Sequence, residues 1–151
     1  MVTIEKLKLK IDNNSRLLGL DIGSKRIGIS ICDDQRAIAT PLKTVNFTNL
    51  SDFILELKKI INVNNIKGLI IGYPINMDGS FGKSAQSIND KSKIIDKEIN
   101  IPVSLWDERL STSAAFNISS QLDVNISKRA KNIDEKAATF ILQGAIDYLN
   151  N

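Results

Sequence analysis

The chain has no histidine and one cysteine. Without histidine, neither a Ser-His-Asp nor a Cys-His nucleophilic mechanism can be built, and histidine-ligated zinc is excluded. Any acid-base or metal chemistry therefore falls mainly on Asp and Glu. One cysteine rules out an intramolecular disulfide, and Cys32, set in an apolar run, reads as a small buried filler. No apolar stretch approaches the roughly 20 residues needed to cross a bilayer. The opening residues mix charged and apolar positions without a signal-peptide core, so the expectation is a cytoplasmic protein.

What is present is ordinary for a globular domain: 151 residues, 42% hydrophobic, 25% charged, net charge +3. That length suits one domain, which would bury roughly 70% of the surface its unfolded chain exposes. A mild positive charge is compatible with an anionic polymer as partner, but does not by itself specify one.

Residues 1–15 read as a polar, Asn-rich lead-in, and residues 16–151 as a single domain. Leu17 to Ile22 is a short apolar strand, Ser24-Lys25-Arg26 a tight turn, Ile27 to Cys32 a second strand and Ala37 to Val45 a third. Pro41 marks that third strand as an edge or an irregularity, because proline cannot donate to a ladder. Leu50, Phe53, Ile54, Leu57, Ile60 and Ile61 recur at helical spacing, with Asn49 or Ser51 as cap. Ile66 to Ile71 is a nearly continuous apolar run, as expected for a strand buried on both faces. A Gly-rich loop over 72–82 leads to a helix from Lys83 to Glu98, then a strand from Pro102 to Trp106. Ser111 can cap a further helix through Phe116, and the polar, basic stretch 120–131 reads as mobile. Asn132 and Glu135 have capping-box spacing for a last helix. The order predicts an α/β fold: a five-stranded mixed sheet, an antiparallel meander joined to parallel strands, with helices on both faces.

Three acidic positions stand out. Asp21 ends an apolar strand, where an unpaired carboxylate is costly, and Gly19 and Gly23 leave backbone space beside it. A role in bracing the Ser24-Lys25 turn would also explain it. Asp107-Glu108-Arg109 follows another strand, although a solvated strand end would look the same. Asp134 falls in the first turn of the last helix, where the helix dipole favours a carboxylate in any case. Together, three dispersed acids suit a hard cation such as Mg²⁺ or Mn²⁺, and two such ions suit phosphodiester hydrolysis. Neighbouring strand side chains point to opposite faces, so spacing leaves open which of Asp107 and Glu108 is the ligand. Asn76, Ser80 and Lys83 in and after the Gly-rich loop, with Arg109, are candidate phosphate contacts. Lys128, Arg129 and Lys131 are further candidates. Tyr73, Phe81 and Trp106 are rings that can stack on bases, though Trp106 at a strand end is better explained by packing.

Four segments carry a resemblance to a known family: LGLDIGSKRIG from Leu18, IGYPINMDGS from Ile71, WDERLST from Trp106 and KNIDEKAA from Lys131. In this order they resemble the YqgF family, also called RuvX, within the ribonuclease H-like superfamily, over about residues 16–149. The resemblance implies an RNase H-like fold and a two-metal nuclease site on Asp21, Glu108 and Asp134, and it favours Glu108 over the adjacent Asp107. It implies processing of the 5′ end of pre-16S ribosomal RNA, with resolution of four-way DNA junctions as the alternative. Structured RNA, a ribosome precursor and branched DNA are the implied partners, met by a monomer or weak homodimer. Tyr73 departs from the Leu more usual in that loop.

Two other classes remain to be weighed. An actin-like ATPase also uses Asp-x-Gly at a first strand end, but needs two such lobes, and this chain has one. A nucleic-acid-binding module without catalysis is disfavoured by the presence of every candidate acid.

Overall fold

The computed structural model describes residues 1–110 and 126–151, the side chains of 126–133 apart. Helix α1 (Ile4–Lys10) precedes strands β1 (Arg16–Ile22), β2 (Arg26–Cys32) and β3 (Ala39–Asn46). Helix α2 (Leu50–Val63), β4 (Ile66–Tyr73), α3 (Lys83–Glu98) and β5 (Val103–Asp107) follow, then a single 3₁₀ turn over Glu108–Leu110 and the long α4 (Ile126–Asn150). The strands form one sheet in the order β3-β2-β1-β4-β5. β1 pairs antiparallel with β2 and β2 with β3, whereas β4 runs parallel to both β1 and β5. The expected mixed sheet is therefore present.

Strand alternation divides the core in two. Leu18, Leu20, Ile29, Leu69 and Ile71 face Phe53, Ile54, Leu57, Ile88 and Ile95 of α2 and α3. Leu17, Cys32, Ile70 and Trp106 face Ile141, Leu142, Ala145 and Ile146 of α4. Cys32 is a buried free thiol, and Trp106 is buried with its ring edge-on to Tyr148. Asn49 caps α2 by accepting from the Asp52 amide at 2.9 Å. β3 is an edge strand, and its register slips by one residue between the Ile29–Lys43 and Ser30–Pro41 pairs, so Pro41 marks both features its sequence allowed.

Two segments differ from expectation. Residues 1–15 are more than a lead-in: Thr3 caps α1, Leu7 is fully buried in the α4-side core, and Val2 bridges to Ser104 of β5. Residues from Ile126 are already helical, so Asn132 lies inside α4 and forms no capping box with Glu135. The Glu135 carboxylate instead accepts from Thr44 at 3.2 Å. The helix expected after Ser111 and residues 120–125 lie outside the described residues.

Candidate active site

Three parallel strands end together, and their C-terminal ends are where an open α/β sheet presents its ligand site. β1 ends on Asp21-Ile22, β4 on Gly72-Tyr73 and β5 on Asp107, with Glu108 opening the 3₁₀ turn. Asp21 is paired with Gly28 and lies on the face that α4 covers, since Gly19 two residues earlier meets Leu142.

α4 brings the third acid. It crosses the sheet over Gly19, Gly28 and Gly72, where side chains would obstruct it. A Cβ on Gly72 would meet Ile141, and one on Gly28 would meet the backbone of Asp134. Ser30 donates to the Ala138 carbonyl at 2.7 Å and pins the helix there. At the other end of α4, Gln143 brackets the chain entering β3, taking the Ala39 amide at 2.8 Å and donating to the Ala37 carbonyl at 3.1 Å.

The electrostatics follow from this placement. Burial pushes the Asp21 carboxyl up to about 6, helped by the negative charge of Asp134. Burial likewise pushes Glu108 up to about 7, with Asp21 and then Asp107 adding to the effect. Asp21 thus feels the charge of Asp134, and Glu108 feels that of Asp21. Asp107 differs: its carboxylate takes a forked pair of bonds from Arg109, at 3.1 and 2.8 Å, which holds it below the usual carboxylate range. Register places Asp107 opposite Tyr73, on the α2–α3 side, whereas the Glu108 carboxyl lies beside Gly72 on the α4 side.

The donor set is entirely carboxylate oxygen, which suits a hard divalent cation. Among the described residues, no three such side chains converge into a ready metal cage. Asp134 forms an ion pair with Arg26, and Asp107 one with Arg109. Arg26 was legible only as a turn residue, although it opens β2, one residue before the Ile22–Ile27 pair that ends the β1–β2 ladder beside Asp21.

The remaining candidates are dispersed. Asn76 and Ser80 brace the 74–82 loop, with Asn76 Nδ2 donating to Ser80 Oγ at 3.0 Å. Lys83 is the exposed first residue of α3. Lys128, Arg129 and Lys131 fall in the first turns of α4, and their side chains lie outside the described residues.

A five-stranded mixed sheet of this order, with helices on both faces, is a ribonuclease H-like fold. The fold is shared with Thermus thermophilus RuvC in complex with a Holliday junction substrate, at TM-score 0.53 and 8% identity over 89% of this chain and 94% of that one. It is also shared with the fowlpox virus Holliday junction resolvase, at TM-score 0.50 and 14% identity over 89% and 98%. The chain belongs to the RuvX family: the model described as "RuvX: Holliday junction resolvase" matches residues 15–148. A Pelagibacter ubique protein called "Putative pre-16S rRNA nuclease" is 64% identical over 151 residues, the whole of both chains. A Rhodobacter capsulatus protein of the same name is 43% identical over 133 residues, 88% of this chain and 84% of its own.

Proposed function

We propose that this chain is a metal-dependent nuclease that hydrolyses phosphodiester bonds, acting at the 5′ end of pre-16S rRNA during ribosome biogenesis. The observation that carries the reading is Asp21, an acid at the end of a core strand, flanked by Glu108 and Asp134 in a chain with no histidine. The substrate is taken from the relatives that bear that name, one of them matched over its full length.

In this reading Asp21, Glu108 and Asp134 would hold Mg²⁺ or Mn²⁺, two ions in the full site, while Asp107 stays on the other side of the strand end, paired with Arg109. Such ions, when bound, supply a water activated for attack and neutralise charge on the departing oxygen. The chain's own residues do the rest. Arg26 holds the Asp134 carboxylate, and Arg109 holds Asp107 out of the row. Lys83, Arg109, Lys128, Arg129 and Lys131 supply cationic contacts to backbone phosphates, and Asn76 and Ser80 shape the loop that meets the strand. The protein works on structured RNA in the cytoplasm, on the ribosome precursor, as a monomer or weak homodimer; among the described residues no helix is long and apolar enough to cross a membrane.

The family description and the RuvC-like fold favour four-way DNA as the second substrate. Purified protein offered ribosomal precursor RNA and four-way DNA, with and without Mg²⁺ or Mn²⁺, separates the two. Metal-dependent cutting of the RNA is expected. Cutting of the junction alone would transfer the activity to DNA, and cutting of neither would remove the nuclease reading.

A further inference from the structure

Beside the acid-bearing strand ends stands an aromatic step. The Tyr73 ring, at the end of β4, lies 5.7 Å from the Phe81 ring, tilted by 31°. Tyr73 is the register partner of Asp107 and follows Gly72, the neighbour of the Glu108 carboxyl. Phe81 is nevertheless 59% exposed, so much of its ring faces solvent. Contact with Tyr73 covers part of the ring and leaves the rest open at the end of the sheet that carries the acids.

The loop holding the ring is stiff. The Asn76 amide donates to the Ser80 carbonyl at 3.0 Å, and the Gly79 amide to the Asn76 carbonyl at 2.8 Å. Asp78 Oδ1 accepts from the Ser80 amide at 2.9 Å and from its hydroxyl at 2.6 Å. Gly79 has a φ of +87°, which a side chain would strain. A ring presented from so braced a turn loses little freedom when something settles on it. Cations flank it: Lys83 two residues on, and Arg109, whose Nη1 approaches Gly79.

We propose that Phe81, backed by Tyr73, stacks on an unpaired nucleobase of the strand being cut, while Lys83 and Arg109 meet the phosphates on either side of that base. A flat apolar face between cations matches a base between phosphates. In a continuous duplex both faces of each base are already covered, so the step selects single-stranded or unpaired nucleotides next to the cut. The inference rests on the nuclease reading and specifies the form of its substrate.

The test is binding without cleavage, in EDTA, by anisotropy of an end-labelled single-stranded RNA and of the same sequence as a blunt duplex. Phe81→Ala and Phe81→Leu should weaken single-strand binding by about five- to a hundredfold, the range a lost base–aromatic stack produces. Duplex binding should change less than twofold. Phe81→Trp should keep single-strand affinity, with indole emission quenched on binding. The ring's exposure leaves folding intact, which a melting curve verifies. Equal losses on single strand and duplex, or no loss with Phe81→Ala, would overturn the stack. If the parent binds and, with Mg²⁺, cuts RNA while Phe81→Ala matches it, the stack alone fails; a parent that binds neither RNA sinks both readings.

Discussion

Gly28 lies directly under Asp134: a Cβ added to Gly28 would run into the Asp134 carbonyl oxygen. The clash is with helix backbone, so no side-chain rotation relieves it. Gly28→Ala should therefore lift the N-terminal half of α4 and carry Asp134 away from Asp21. Overpacking of this kind costs about 1–3 kcal/mol, which for a domain of this size lowers Tm by roughly 2–4 °C per kcal/mol. Cleavage should fall further than the stability loss explains. A melting curve and a cleavage assay on one preparation check both, and an unshifted Tm with full activity would refute the close approach.

Asp21→Asn keeps size and one carbonyl oxygen but removes the charge a divalent cation needs. If Asp21 holds metal, cleavage should drop on the order of a hundredfold or more, the equivalent of about 3 kcal/mol in the barrier. Nucleic-acid binding in EDTA should persist. If Asp21 only braces the Ser24-Lys25 turn, the result reverses, with slightly lower Tm and near-normal cutting.

The metal-free protein should lose stability as pH rises through the neutral range. Asp21 and Glu108 titrate near 6 and 7 in the folded chain against 3.8 and 4.5 ordinarily, so between those limits the native state keeps protons that the unfolded chain releases. Their contribution is complete below pH about 4 and is lost as pH climbs past 6 to 7. Melting in EDTA from pH 5 to 8 should show this decline, flattened in Asp21→Asn. Mg²⁺, which binds the charged forms, should raise Tm more at pH 8 than at pH 5. A Tm that rises with pH in EDTA for the parent, with no difference in Asp21→Asn, would contradict the assignment.

Replacing Lys128, Arg129 and Lys131 together by Ala should weaken RNA binding across unrelated sequences. Each lost phosphate contact should flatten the slope of log affinity against log salt by about 0.7 to 0.9. Filter binding from 50 to 200 mM salt would measure it. An unchanged slope would leave these residues as solvated charge.

Local pattern sufficed for much of this protein. The apolar runs of β1 and β4 and the periodicity of α2 carry their own burial, because alternation and helical spacing are properties of a few neighbouring residues. Asp21 was legible because a carboxylate ending an apolar strand conflicts with its surroundings. Local pattern also misled: Asn132 and Glu135 have capping spacing, but a cap requires a residue with extended backbone, and the chain is already helical from Ile126. α1 was hidden because one buried residue, Leu7, is too short a signal in a polar segment. Only the tertiary structure brought Glu108 and Asp134 to Asp21. Parallel pairing of β1 with β4 and of β4 with β5 aligns the strand ends, and α4 settles over Gly19, Gly28 and Gly72 because nothing projects there to hold it off. It also separated Asp107 from Glu108, which share sequence neighbours but not faces, since the choice depends on where the strand stops and the 3₁₀ turn begins.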